Sequence, residues 1–209
     1  MSSEHARPSR PEPGGGAVVL PLPRLRAATP GDAAEIVRLL SAVALEGTLG
    51  LDPGGLRVEE EAARLARLDL RAACALVVVV RGSVQAFAVG VRGAEPAIAH
   101  TASVSLAVSP EHRRSGLGRL LLGGVLAWAD AAGVRKLVAG VCDRNSAALA
   151  LFHRSGYAVE GVRRQQIHTG AGLADEVLFG LLLAAARPGA LGTPTRPGGR
   201  AAAHRRRRR

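Results

Sequence analysis

An α/β (α+β) domain, a mixed and mostly antiparallel sheet with helices on its faces, is what the element order β-α-α-β-β-β-α-β-α-β-β predicts. Three observations carry that order. The runs ALVVVV and SVQAFAVGV are parted by Arg81-Gly82-Ser83, a hairpin signal, and HTASVSLAVSP follows as the third member of an antiparallel meander. From Val104 to Trp128 an alternating strand passes through a short basic turn with two glycines into an amphipathic helix. Near the end, YAVEGVRRQQIH and ADEVLFGLLLAA read as two strands around Thr169-Gly170-Ala171-Gly172.

In chain order, residues 1–23 form a Pro/Gly/Ser-rich leader expected to be disordered. The folded domain is expected over residues 24–186. It opens with a short strand at Leu25–Ala28, then Thr29-Pro30, with Pro30 suited to a first helical position. Ile36, Val37, Leu39, Leu40 and Val43 give the stripe of the first helix. After the loop EGTLGLDPGG comes a second helix in RVEEEAARLARLDL, with Ala62, Leu65 and Leu68 facing inward. In the central stretch Val104, Leu106 and Val108 share one face of a strand, while Leu117, Leu120, Leu121, Gly124, Val125 and Trp128 recur at helical spacing from a start on Gly118. Gly133 ends that helix, and Arg135 to Cys142 form a buried strand. Asn145 is a helix N-cap and Gly156 the C′ glycine of the same helix. From Arg187 to Arg209 the chain is again Pro/Gly/Ala/Arg-rich and expected to be disordered.

Composition narrows the function classes. A chain of 209 residues with 47% apolar content can bury a sizeable core and is not a disordered polymer. The net charge of +11 suggests nucleic acid until it is placed. Eight arginines from Arg187 onward have no acid among them, which leaves +3 for the rest. Few aromatics and no basic face in the core argue against a nucleic-acid module, so only weak binding through the tail is expected. Cys74 and Cys142 are too few for a disulfide framework or a four-cysteine zinc site, and the six histidines fall at no ligand spacing, so no metal is expected. The longest clean apolar run, Ala72 to Val80, is too short to span a membrane, and the N-terminus lacks a signal-peptide core. A cytoplasmic location is the expectation.

The chemistry sits in Arg113-Arg114-Ser115-Gly116-Leu117-Gly118. Free backbone N–H groups at a helix N-terminus favour an anion, and glycines let a ligand approach the backbone. A P-loop would need Lys-Ser/Thr opening the helix, and a dinucleotide fold would need GxGxxG after an early strand. Neither is present. Arg-x-x-Gly-x-Gly after a strand ending in VSP instead resembles motif A of the GNAT superfamily of acetyl-CoA-dependent N-acetyltransferases. Beginning 27 residues beyond Gly118, Asn145-x-x-Ala148-x-x-Leu151-Phe152-x-x-x-Gly156-Tyr157 resembles the family's motif B. The element order is also similar to that family's over about residues 24–186.

The resemblance implies a GNAT-like fold and direct attack of a neutral amine on the thioester of acetyl-CoA. It implies that Arg113, Arg114, Ser115, Gly116, Leu117 and Gly118 hold the pyrophosphate. Leu106, Ala107 and Val108 would form a splayed strand end that pairs with pantetheine and polarises the thioester carbonyl, while Asn145 and Phe152 would border the cofactor arm. Candidate bases are Glu46, in the loop bordering the acceptor site, and His100 or Asp143. The sequence departs from the family at Phe152, where a general-acid tyrosine is frequent, and Tyr157 is the substitute acid it offers. Cys142, at a strand end near the expected acetyl position, reads as a core residue. The implied acceptor is a small amine or amino acid. A protein or peptide N-terminus, and an acyl-CoA-binding module without turnover, stay open as alternatives. So does a homodimer.

Overall fold

The computed structural model describes residues 22–47 and 53–184. The tail 187–209, nearly all of the leader and residues 48–52 of the first long loop lie outside the described residues. Strands β1 (Arg24–Ala27), β2 (Ala73–Val80), β3 (Ser83–Arg92), β4 (Thr101–Val108), β5 (Lys136–Cys142), β6 (Ala158–Thr169) and β7 (Gly172–Leu182) form one sheet. Its order is β1-β2-β3-β4-β5-β7-β6. Helices α1 (Ala33–Ala44) and α2 (Val58–Ala66) lie on one face, and α3 (Leu117–Ala131) and α4 (Ser146–Arg154) on the other.

Local chemistry sets the corners. Arg81 and Gly82 both have positive φ, at 51° and 83°, the geometry of a two-residue primed turn whose twist suits a hairpin. At the first corner Asp32 accepts two bonds from the Arg26 guanidinium at 2.7 Å each, and two more from the Thr29 N–H and hydroxyl. The Arg26 contact holds the Asp32 carboxyl well below the usual carboxylate range. This clamps β1 to the start of α1. Pro30 opens a single 3-10 turn there, one step ahead of the helix it was expected to begin.

The two helical layers bury different residues. Ile36, Leu39, Val43 and Leu65 of α1 and α2 pack on Val77, Phe87 and Ala107, with Leu68 partly buried against them. Leu121, Leu122 and Val125 of α3 pack with Val104, Leu137, Phe152 and Phe179. Leu120, read as part of the α3 stripe, is instead exposed. The inward stripe runs through Leu117, Leu121, Leu122, Val125 and Ala129, so its axis is rotated toward the C-terminal side of each pair. The helix begins at Leu117, with Gly116 as its left-handed cap, and not on Gly118.

The sheet has one parallel pair, and that pair is short. β4 and β5 are in register only at Thr101↔Lys136, Ala102↔Leu137 and Ser103↔Val138. β4 runs on to Val108 while β5 turns its other edge to β7 along its whole length. The two strands therefore splay beyond Ser103 and open a gap in the middle of the sheet.

Candidate active site

Pairing alternates along an antiparallel strand, so β4 can be divided residue by residue. Ser109 donates its N–H to Gln85 and Thr101 accepts from Gly93, which puts the odd-numbered backbone groups of β4 toward β3. The backbone N–H and C=O groups of Leu106 and Val108 consequently face the gap, whereas those of Ala107 are spent on β3 opposite Phe87. Of the three strand-end residues read from the sequence, two are placed to meet an incoming amide or carbonyl. Ala107 contributes only surface.

The cradle follows directly. Arg114 (φ 62°) and Gly116 (φ 87°) are both left-handed, so the chain reverses sharply before α3. A Cβ built on Gly116 would meet nothing within 4 Å, whereas one on Gly118 would lie 2.9 Å from a Leu151 methyl. The two glycines do different work. Gly116 lets the turn form with its outer side open, and Gly118 lets the first turn of α3 pack closely on α4. The first N–H groups of a helix have no partners within it, and those of α3 lie at this opening.

Together these elements enclose a cleft of about 460 Å³. Its wall takes in Glu46, Leu106, Ala107, Val108, Arg113, Arg114, Gly116, Leu117, Gly118 and Asn145, all read from the sequence. Asn145 also caps α4, its Oδ1 accepting from the Ala148 N–H at 3.0 Å. Arg113 crosses the cleft: its Nη2 lies 2.6 Å from Glu46 Oε2, and its Nε donates to the Val108 carbonyl at 3.4 Å.

Five of the named residues stand elsewhere. Ser115 turns its hydroxyl back onto the His112 carbonyl, away from the cleft wall. His100 lies just before β4, at the opposite end of that strand from Val108, and is exposed. Asp143, past the end of β5, is exposed and off the wall. Phe152 is 3% exposed in an aromatic group, 5.0 Å edge-on from Tyr157 and 5.6 Å stacked on Phe179. Tyr157 is equally buried, its hydroxyl has no partner among the described residues, and burial pushes that hydroxyl up to about 12. Neither ring is on the cleft wall. Cys142 is buried, as read.

Five polar wall residues were not read from the sequence as site residues: His112, Arg119, Ser146, Arg154 and Ser155. His112 Nδ1 is 3.1 Å from Ser109 Oγ, which in turn donates to Gln85 at 2.8 Å. Arg119 directly follows the cradle and Arg154 lies inside the second motif. That adjacency was the available signal. Among the described residues no group of three His, Cys, Asp or Glu is placed to hold a metal, and no helix is long and apolar enough to cross a membrane.

Comparison with known proteins agrees with this arrangement. Residues 50–157 match the model of the Acetyltransferase (GNAT) family. The chain is 34% identical over 77 residues to the [Ribosomal protein bS18]-alanine N-acetyltransferase of Escherichia coli K12, a match over 37% of this chain and 52% of that protein. It thus spans about half the length of the curated relatives it matches. An acetyltransferase of the GNAT family from Streptococcus pneumoniae superposes with a TM-score of 0.71 at 28% identity, over 78% of this chain and 100% of that one. A Salmonella typhimurium acetyltransferase solved with its cofactor acetyl-CoA superposes at 0.72, with 23% identity, over 82% and 100%. At that identity the second likeness speaks for the fold alone. A motif-bearing cleft at a splayed parallel pair, a family match over residues 50–157 and this shared architecture lead to one statement: the chain belongs to the GNAT family of acetyltransferases.

Proposed function

We propose that this protein transfers the acetyl group of acetyl-CoA to the amine of a small molecule or amino acid by direct attack. The observation that carries the reading is the joining, in one cleft, of an anion cradle at the start of α3 with the unpaired edge of β4 beyond Ser103. The first suits the pyrophosphate and the second suits the amides of the pantetheine arm. In such a pose the N–H of Leu106 or Val108 donates to the thioester oxygen as it gains charge, which is oxyanion stabilisation.

An amine is protonated near neutral pH and must lose that proton before attack. Among the described residues Glu46 is the one carboxylate on the cleft wall and is assigned that task. The nitrogen then forms the new bond to the carbonyl carbon, the C–S bond breaks, and CoA leaves as thiolate. The nitrogen passes its remaining excess proton to water or to that thiolate, giving the neutral amide and CoA. With a thiol pKa of about 8.5 the thiolate leaves without obligatory proton transfer, so the burial of Tyr157 does not stop the reaction. An N-terminal amine of a protein is the second acceptor class, favoured by the similarity to an enzyme named for an alanine on a ribosomal protein.

The test is thiol release from acetyl-CoA across a panel of small amines, amino acids and N-terminal peptides. Turnover with the small acceptors supports the proposal, and turnover with peptides alone moves it to the second class. Acetyl-CoA binding without turnover on any acceptor replaces it with a binding module.

A further inference from the structure

A carboxylate from β7 occupies the space where β5 has no side chain. Gly140 stands on β5 two residues past Val138, the last β5 residue in register with β4, so it lies at the first step of the splay. Leu137, Ala139 and Val141 pack with α3, and alternation along the strand turns Gly140 to the opposite face, which carries α1 and α2. A Cβ built on Gly140 would overlap Oε1 of Glu176 and lie 2.7 Å from its carboxyl carbon. Glu176 sits on β7, opposite Cys142 of β5 on one side and Arg163 of β6 on the other. The sheet order runs β4-β5-β7-β6, so the side chain leans over β5 toward β4 and the gap.

The two carboxylate oxygens differ in use. Oε2 accepts from Arg163 Nη1 at 3.1 Å on the β6 side. Oε1, on the β5 side, has no hydrogen-bond partner among the described residues. The Arg163 side chain is 58% exposed, so the pair is weak and acts as a tether that orients the carboxylate. Glu176 itself is 19% exposed, reachable but mostly withdrawn from bulk water, where a charge is felt more strongly than at an open surface.

On the acetyl-CoA reading, the phosphates lie at the start of α3 and the pantetheine arm enters the gap from the face of α3 and α4. The thioester then points through the sheet, and the attacking amine comes from the other face. We infer that Glu176 receives the acceptor there, its Oε1 holding the ammonium group, so that the protein selects amines that are protonated near neutral pH. The inference rests on the acetyl-CoA reading and deepens it by naming the acceptor class. An alkylamine resembles a lysine side chain, with a pKa of about 10.4, and arrives as a cation. An arylamine arrives neutral and gains nothing from a carboxylate. Glu176 binds, and Glu46 keeps the task of removing the proton.

Thiol release by the full chain at saturating acetyl-CoA tests this, with alkylamines, amino acids and aniline as acceptors. The wild-type protein should accept protonated amines and bind aniline far more weakly or not at all. Glu176→Gln should raise KM for an accepted alkylamine about tenfold or more, the scale of one charge-assisted bond, with kcat and acetyl-CoA affinity within about twofold. Gly140→Ala, which displaces the carboxylate without removing its charge, should raise KM in the same direction. The exchange Gly140→Glu/Glu176→Ala supplies a carboxylate to the same space from β5 and should recover KM, which loss of a merely structural ion pair would not allow. An unmoved KM in Glu176→Gln overturns the inference and leaves the transfer reading standing. So does wild-type binding of aniline as tight as that of an alkylamine. A fall in kcat at constant KM also overturns it, because Glu176 would then be the proton acceptor. If acetyl-CoA binds but no amine turns over, the transfer reading falls and takes this with it.

Discussion

Two segments of this chain resemble family motifs, and the structure treats them in opposite ways. Around Arg113–Gly118 the backbone is exposed and left-handed at two positions, and cationic side chains stand at its surface. In the second segment the Phe152 and Tyr157 side chains are each 3% exposed and packed ring against ring, with a hydroxyl sealed among them. Apart from Leu117, which is buried beneath α3, the first segment gains little from burial and leaves its backbone open to the cleft. The second fills the core beneath α4. A motif residue can thus serve a site by touching the ligand or by holding up the wall, and burial distinguishes the two.

The contrast breaks most readily at Gly116. Its Cβ would meet only open space, so Gly116→Asp adds no clash, but its φ of 87° strains an L-residue by roughly 1–2 kcal/mol. On the proposed reading the carboxylate would stand among the donor's phosphates, opposing both their charge and the helix dipole. Acetyl-CoA affinity should fall about a hundredfold by calorimetry, with the melting temperature only slightly lowered. Retained affinity in a folded variant would move the donor to another part of the molecule.

Phe152→Tyr tests the opposite side of the comparison. If the ring contacts the donor's sulfur, a hydroxyl there supplies the acid the family frequently uses, and kcat rises. With Phe152 packed between Tyr157 and Phe179, the hydroxyl instead enters an apolar space and should cost about 2 kcal/mol in stability with no gain in rate. Denaturant melts and kcat, measured together, separate the two. A faster enzyme of unchanged stability would put α4's aromatic face in the cleft.

Tyr157 sharpens the same point, helped by its being the chain's single tyrosine. Its absorbance titration in the native protein should centre near 12, where burial pushes it, well above the ordinary value of about 10. Between those values the unfolded chain has released the proton and the folded chain still holds it, so stability falls as pH rises from about 10 to 12. Tyr157→Phe should remove that alkaline slope, raise stability by about 1 kcal/mol by deleting an unsatisfied hydroxyl, and leave kcat unchanged. A rate loss of about tenfold or more would make Tyr157 the acid after all.

What was legible in the sequence was what neighbouring residues decide. Asn145 caps α4, Gly156 closes it with a φ of 86°, and Arg81-Gly82 makes the hairpin, because each depends on backbone chemistry within four residues. The cradle belongs with these. The insertion of β7 between β5 and β6 was not legible, since it depends on which edge of β5 is free after β4 has splayed away. Nor was the purpose of Gly118, whose constraint comes from Leu151 on another helix. Tyr157 was read as reaching the site because its motif does. Only the packing of Phe152 and Phe179 around it shows that its hydroxyl stays inside.

Glu46 offers the smallest expected effect on donor affinity and links the cradle to the catalytic step. The carboxylate that should take the acceptor's proton is the partner of Arg113, at 2.6 Å across the cleft. A guanidinium so engaged is a poor phosphate ligand. On the proposed reading, donor phosphates compete for Arg113, and when they take it the Glu46 carboxylate is released into the cleft. Glu46→Gln removes the competitor without removing the arginine. Both groups are about one-third exposed, so the pair is worth under about 1 kcal/mol, and acetyl-CoA should bind only about two- to fivefold more tightly to the variant. Turnover should fall by roughly a hundredfold or more at the same time, the scale of a lost general base. The opposite signs make the test specific, since a variant that merely disturbed the cleft would lose affinity and rate together. Unchanged affinity would mean that the pair does not compete with the donor.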